Sequence, residues 1–172
     1  MFIRKISSAV VGCGLLLVST VSFTQNSRGP STAEERQQAL QYIQDFQLDP
    51  LSPRSIQERE WTLKWVIEVP DIHVNVCLIL DKLPKGDKKD SGTIFSAQVL
   101  SQTAFVLQNP SRQDDRLAEY QAGVEGALHV YEQLLKANPK DRQPYLDDLI
   151  QRRDAGTLAQ FVKERAEASC KN

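Results

Sequence analysis

The cysteines are the residues with the clearest chemical potential. Three are present, Cys13, Cys77 and Cys170, and Cys13 falls within an apolar N-terminal run. In an exported chain the remaining even pair predicts one disulfide, which would join the end of the chain to its middle. Two buried, inert thiols are the alternative. The sequence has no Cys-x-x-Cys pair and therefore does not indicate redox catalysis.

Other groupings that could perform catalysis are not evident. The two histidines, His73 and His129, have no cluster of cysteines or carboxylates at metal-ligand spacing. Asp147 and Asp148 are adjacent, so they would point in different directions on a helix and do not form a hydrolytic pair. Neither a Gly-x-Ser-x-Gly elbow nor a glycine-rich phosphate loop occurs. We therefore predict a protein that is not an enzyme and that needs neither a cofactor nor a metal ion.

Two tryptophans and two glutamines are the candidates for a binding surface. Trp61 and Trp65 are four residues apart and share one side of a helix. They could line a cavity for an apolar ligand, but aromatic rings chiefly anchor cores, and we favour that structural role. Gln98 and Gln102 lie in an uncharged helix, where they indicate either a self-association face, and hence a homodimer, or a partly buried helix edge.

The first 24 residues match the pattern of a secretory signal peptide. Two basic residues precede an uncharged apolar run from 6 to 23, and a polar tether follows at 25–30. We therefore expect a periplasmic or secreted protein. Two alternatives stay open: a lipid anchor on Cys13, and an uncleaved membrane anchor, since about 18 apolar residues nearly span a bilayer.

The rest of the chain suits one helical domain over residues 31–172. Loss of the leader lowers Lys plus Arg from 21 to 19 against 22 acidic residues, which changes the net charge from −1 to −3. Such a mildly acidic chain lacks the basic patch of a nucleic-acid-binding protein, so no nucleic acid is expected as a partner. No later stretch is apolar and long enough to span a membrane stably.

Apolar residues at helical spacing predict an all-α bundle of about six helices. Ser31 with Glu34 is the expected cap of the first helix, and Ile56, Leu63, Val66 and Ile67 are the expected inward face of the second. The predicted helices cover residues 32–46, 53–69, 93–107, 112–137, 143–155 and 157–170.

The longest predicted helix organises the bundle. It spans 112–137, with Ser111 and Asp114 as its expected cap, and carries a stripe of small residues that includes Gly123 and Gly126. An interior glycine costs about 1 kcal/mol relative to alanine, so we expect a second helix to cross closely at these glycines. The uncharged helix at 93–107 is the expected neighbour.

Residues 70–83 fit two patterns. Alternating apolar residues from Ile72 to Leu80 suit a strand, but a subset of them also fits one face of a helix. A lone strand is unstable, and no other segment of the mature chain alternates in this way. We therefore predict a short helix beginning after Asp71. The strand alternative would require pairing with the same strand of a second subunit.

The run from 130 to 162 is similar to part of a tetratricopeptide repeat. Tyr131-Glu-Gln-Leu-Leu-Lys-Ala-Asn-Pro139 resembles the end of one repeat, and five later residues fall near the family's packing positions: Tyr145, Leu146, Leu149, Gly156 and Phe161. The resemblance covers about a fifth of the chain, and no period of about 34 residues appears upstream. It implies a helical hairpin and a protein-binding groove, with no catalytic residues.

These features favour a non-catalytic, exported module that binds a protein partner, such as an envelope accessory protein. The alternatives are a bundle that binds a small apolar ligand beside Trp61 and Trp65, and a degenerate tetratricopeptide-like adaptor. An interaction module should carry an apolar patch on its outside, whereas a ligand carrier should enclose a pocket beside the indoles.

Overall fold

The computed structural model describes residues 28–86 and 88–170, apart from the side chain of Lys89. Over these residues the chain is all-α, as predicted, with six α-helices, three short 3-10 turns and no β-strand. The leader with Cys13 and the first residues of the tether lie outside the described part. The helices are α1 (Ala33–Leu48), α2 (Pro53–Glu68), α3 (Ser91–Gln108), α4 (Arg116–Ala137), α5 (Pro144–Asp154) and α6 (Leu158–Ser169).

Helices α3 and α4 cross at the predicted glycines. A Cβ added at Gly123 would lie 2.7 Å from Cγ of Gln102, and one added at Gly126 would lie 1.8 Å from Oγ of Ser101. Neither position has room for a side chain unless the side chain of Gln102 or Ser101, or α3 itself, moves. The small-residue stripe therefore sets the spacing of the central helix pair.

Two predicted helix caps are wrong, one by a single residue and the other by four. The first helix is capped by a Thr32–Glu35 box rather than by Ser31 and Glu34. The hydroxyl of Ser31 is engaged elsewhere: it accepts a hydrogen bond from Nε of Arg36 at 2.7 Å, while it and the N–H of Ser31 donate to the carboxylate of Asp71, each at 2.8 Å. Helix α4 likewise begins at Arg116, after the chain passes through a 3-10 turn at Pro110–Arg112, and Asp115 replaces Ser111 as its cap.

The inward face of α2 also differs from the prediction. Its buried residues are Ser55, Glu58, Thr62 and Trp65, whereas Ile67 is 83% exposed. Two residues rotate a helix by about 200°, so Ile67 faces away from the side on which Trp65 packs. An apolar residue therefore stands on the outer surface of α2.

The predicted short helix after Asp71 does not form. Residues 72–78 adopt no helix, strand or turn, and from Val76 to Ile79 exposed and buried residues alternate. That alternation is typical of extended chain. We call residues 72–78 the anchored segment, because side chains of α3 and α4 hold it in place.

The predicted disulfide is present. Cys77 in the anchored segment is bonded to Cys170, with a Cα–Cα distance of 5.7 Å and a sequence separation of 93 residues. The end of α6 is thereby joined to the middle of the chain. Among the described helices, none has the length and apolar character needed to cross a membrane.

Candidate interaction surface

Asn75 is the main attachment point of the anchored segment. Its backbone N–H donates to Oε1 of Glu119 at 2.6 Å, and its side-chain amide donates to Oε2 at 2.7 Å. Its carbonyl oxygen accepts a hydrogen bond from Nε2 of Gln102 at 3.0 Å. Both backbone polar groups of Asn75 therefore point into the bundle, where side chains take the place of a neighbouring strand.

A second set of contacts holds the following residues. Nε2 of Gln98 donates to the carbonyl oxygen of Cys77 at 2.9 Å. The hydroxyl of Tyr145 donates to the carbonyl oxygen of Ile79 at 3.3 Å. The disulfide from Cys77 to Cys170 adds a covalent link. The inner side of the anchored segment is thus fastened at Asn75 and Cys77, and the chain is held again at Ile79, the residue that follows the segment.

Gln98 and Gln102 do not lie on an outer surface. Both side chains are fully buried, and both bind the backbone of the anchored segment. The suggestion that they form a self-association face is therefore wrong. A long amide side chain suits this inner role because it can reach a carbonyl oxygen of another segment.

Glu119 is the charged member of this inner site. It lies in the first turn of α4, where a negative charge suits the helix dipole, and it is fully buried. Burial raises the pKa of its carboxyl group above the ordinary value, and the hydrogen bonds from Asn75 and the charge of Arg116 oppose that rise. The carboxylate accepts two N–H groups at once, which fixes the position of Asn75 relative to α4.

The outer edge of the anchored segment consists of the backbone of Val74, Val76 and Leu78. In extended chain, alternate residues direct their backbone N–H and C=O groups to opposite sides. The C=O of Val74 and the N–H groups of Val76 and Leu78 lie trans to the inward-bonded groups of Asn75 and Cys77 and so point outward, and no backbone hydrogen bond joins these three residues to another described residue. Val76 is 55% exposed and Leu78 is 64% exposed. The edge is therefore open, and its side chains are apolar.

An apolar groove of about 660 Å³ runs beside this edge, between α2, α3 and the anchored segment. Ile67 on α2, Val76 on the anchored segment and Phe95 on α3 all line it and are all exposed. His73 is its one ionisable lining residue. We refer to this feature as the apolar groove.

The tryptophans lie behind the groove rather than in it. Their rings are stacked, with centroids 5.9 Å apart and planes 8° from parallel, and the ring of Tyr42 meets Trp61 edge-on. Trp65 is buried in a cluster with Val69 and Ile72, which line the groove while neither indole does. Trp65 is thus a core residue that packs against the groove's floor.

The two histidines lie in different environments. His73 is exposed at the groove, whereas Nε2 of His129 lies 3.3 Å from Nε2 of Gln133 on the same helix. Within the described ranges, no three His, Cys, Asp or Glu residues are grouped so that they could hold a metal ion.

The sequence matches no known protein-family model, and no curated protein or solved structure was found to be similar to it. The run that resembles a tetratricopeptide repeat covers the last eight residues of α4, all of α5 and the start of α6. There, Tyr131 on α4 accepts the backbone N–H of Gln143 at 2.7 Å and donates to Asp147 on α5 at 3.0 Å.

Sequence reasoning missed Glu119 and Asn75. The signal for Glu119 is its position four residues before Gly123, which continues the small-residue stripe that faces α3. A carboxylate on a buried stripe requires a partner, and that requirement could have been recognised. Asn75 carries no comparable signal, since its partners lie 27 and 44 residues away in the sequence.

Proposed function

We propose that this protein is an exported, non-catalytic interaction module that binds a protein partner at the apolar groove and the outer edge beside it. The observation that carries the proposal is the exposure of Ile67, Val76 and Phe95 around one groove. Contiguous apolar patches on soluble proteins commonly mark interaction sites. The anchored segment adds open backbone groups, which suit a peptide chain as the occupant.

Export is supported by two independent features. The N-terminal residues follow the signal-peptide pattern, and Cys77 is bonded to Cys170. Disulfides persist in oxidising compartments such as the periplasm and the extracellular space. A periplasmic or secreted location therefore agrees with the chemistry of the chain.

A pull-down from envelope extract tests the proposal. The bait is the chain from residue 25 with its disulfide formed, compared with Ile67→Asp, which places a charge in the groove. Leu48→Asp is the matched control, because Leu48 is 62% exposed on α1 and does not line the groove. We expect a partner that is retained by the wild type and by Leu48→Asp and is lost with Ile67→Asp. Equal retention by all three baits would contradict a role for the groove.

A small apolar ligand is the second candidate occupant. The groove's volume of about 660 Å³ lies within the common range for ligand sites, and its lining is almost entirely apolar. Because Trp65 packs with Val69 and Ile72 at the floor, its fluorescence should change when a fatty acid or aromatic compound binds. If the emission stays constant across such a series while Ile67→Asp still abolishes partner capture, the ligand alternative fails.

A further inference from the structure

We propose that a second copy of this chain covers the outer edge, so that two copies pair antiparallel about Val76. This inference rests on the proposed function, because it names an occupant for part of the same surface. It replaces the idea of a self-association face at Gln98 and Gln102, which are buried.

The backbone of the edge is complementary to itself. In an antiparallel pair centred on Val76, that residue lies opposite Val76 of the second copy, and Val74 lies opposite Leu78. The C=O of Val74 and the N–H groups of Val76 and Leu78 point outward, so such a pair could form on the order of four hydrogen bonds, two between Val76 and its counterpart and two between Leu78 and Val74. The edge ends at Leu78, since the N–H of Ile79 donates to the carbonyl oxygen of Cys77 at 2.8 Å.

The side chains and the charge allow the same pairing. Val76 would contact its own counterpart and Val74 would contact Leu78, and branched apolar pairs of this kind stabilise neighbouring strands. Residues 72–80 contain no Lys, Arg, Asp or Glu, and of the charged residues that line a pocket beside the edge, Asp81, Arg116 and Arg165, the first and last are paired with each other. Residues 72–80 also contain no proline, although exposed edges are commonly protected by lysine or proline. This edge therefore lacks the lysine and proline residues that commonly prevent an exposed edge from pairing with another strand.

The exposed area is sufficient for a modest dimer. The exposed parts of Ile67, Val76, Leu78 and Phe95 amount to roughly 400 Å² per copy, comparable to the largest apolar patch of a typical monomer. Two such patches amount to about 800 Å², and the paired backbone and the surrounding rim would have to supply the remainder of the roughly 1,200 Å² at the lower limit of specific interfaces. We therefore expect a reversible dimer rather than an obligate one.

The anchored segment is also held ready for pairing. Glu119, Gln102, Gln98 and the disulfide fasten its inner side, so little further ordering is required when a second strand arrives. Preorganisation of this kind favours association because less conformational entropy is lost on binding.

Sedimentation velocity over a concentration series tests the dimer, using the chain from residue 25 with its disulfide formed. Val76→Pro removes an outward N–H that has no partner within the described chain, so we expect a folded monomer with at least tenfold weaker self-association. Val76→Thr is the matched control, since it keeps the N–H and the branched shape, and we expect it to dimerise. A wild type that stays monomeric to high concentration, or a dimer that persists in Val76→Pro, would overturn the inference.

Cross-linking provides a test that does not depend on the proline variant folding. Cα atoms of directly paired residues lie about 5.5 Å apart in such a ladder, within the range that a disulfide spans. Val76→Cys should therefore form a covalent dimer under mild oxidation, and Leu48→Cys should not. A cross-linking yield no higher for Val76→Cys than for Leu48→Cys would contradict the pairing.

The two proposals fail in different ways. A strictly monomeric protein that still loses its partner with Ile67→Asp would keep the proposed function and refute the pairing. A protein that cross-links at residue 76, but whose capture of other proteins is unaffected by Ile67→Asp, would keep the pairing. That result would refute the proposal that a different protein binds at the apolar groove.

Discussion

The carboxylate of Glu119 accepts both N–H groups that Asn75 offers, from its backbone at 2.6 Å and from its side chain at 2.7 Å. This contact joins the first turn of α4 to the middle of the anchored segment. It also leaves the opposite side of that segment without hydrogen-bond partners in the described chain. A buried interaction therefore determines what the outer surface presents.

Replacing the acceptor should destabilise the protein. Glu119→Gln keeps one oxygen but places an amide N–H group opposite a donor of Asn75, so we expect a loss of about 2 kcal/mol in the free energy of unfolding. Urea denaturation measures this loss. Glu125→Gln makes the same chemical change on the exposed face of α4 and should alter stability by less than about 0.5 kcal/mol. Equal effects at the two positions would argue against the role assigned to Glu119.

The contribution of Glu119 should also depend on pH. Burial raises the pKa of its carboxyl group above the ordinary 4.5, against the opposing influence of Asn75 and Arg116. The folded protein then retains a proton that the unfolded chain has already lost, so this contribution to stability falls as pH rises from about 4.5 through the raised folded pKa.

The measurement is the difference in unfolding free energy between wild type and Glu119→Gln at successive pH values. Taking the difference cancels other carboxyl groups, including Asp71, whose pKa is lowered by its hydrogen bonds from Ser31 and which acts in the opposite direction. We expect the advantage of the wild type to shrink as pH rises. An advantage that grows with pH would mean that the folded pKa is lowered instead.

The disulfide should contribute strongly to stability. Opening the link between Cys77 and Cys170 frees a loop of 93 residues in the unfolded chain, so we expect reduction to cost about 2–4 kcal/mol. Urea denaturation of the chain from residue 25, with and without reductant, measures this cost. The double variant Cys77→Ser/Cys170→Ser should behave like the reduced wild type and should not respond to reductant. Two reactive thiols in the native, oxidised preparation would contradict the bond.

The close crossing of α3 and α4 predicts an unusual response to alanine. Gly126→Ala improves helix propensity by about 1 kcal/mol, but the new Cβ would lie 1.8 Å from Oγ and 2.5 Å from Cβ of Ser101. Overpacking should prevail, with a net loss of about 1–3 kcal/mol in thermal or urea unfolding. Ser101→Gly removes both obstructing atoms, so the double variant should recover part of the loss. A more stable Gly126→Ala protein would show that the helices can separate freely.

Local patterns were sufficient for most of the secondary structure. Apolar spacing and proline positions predicted the six helices, and the stripe containing Gly123 and Gly126 predicted where α3 crosses α4. The even number of cysteines outside the N-terminal run predicted the disulfide between Cys77 and Cys170. The error at the start of α1 arose because Ser31 is bonded to Asp71 and Arg36, and the error at the start of α4 arose because Ser111 lies in a 3-10 turn.

The sequence by itself determined that this chain forms amphipathic helices around a closely crossed pair, because helical periodicity and small residues act over three or four positions. Only the tertiary structure decided that residues 72–78 are neither helix nor paired strand. Their backbone is held by side chains 21, 27 and 44 residues distant, and the free energy of those contacts outweighs local preference. For the same reason, the open edge could not be recognised until the inner contacts of Asn75 and Cys77 were known.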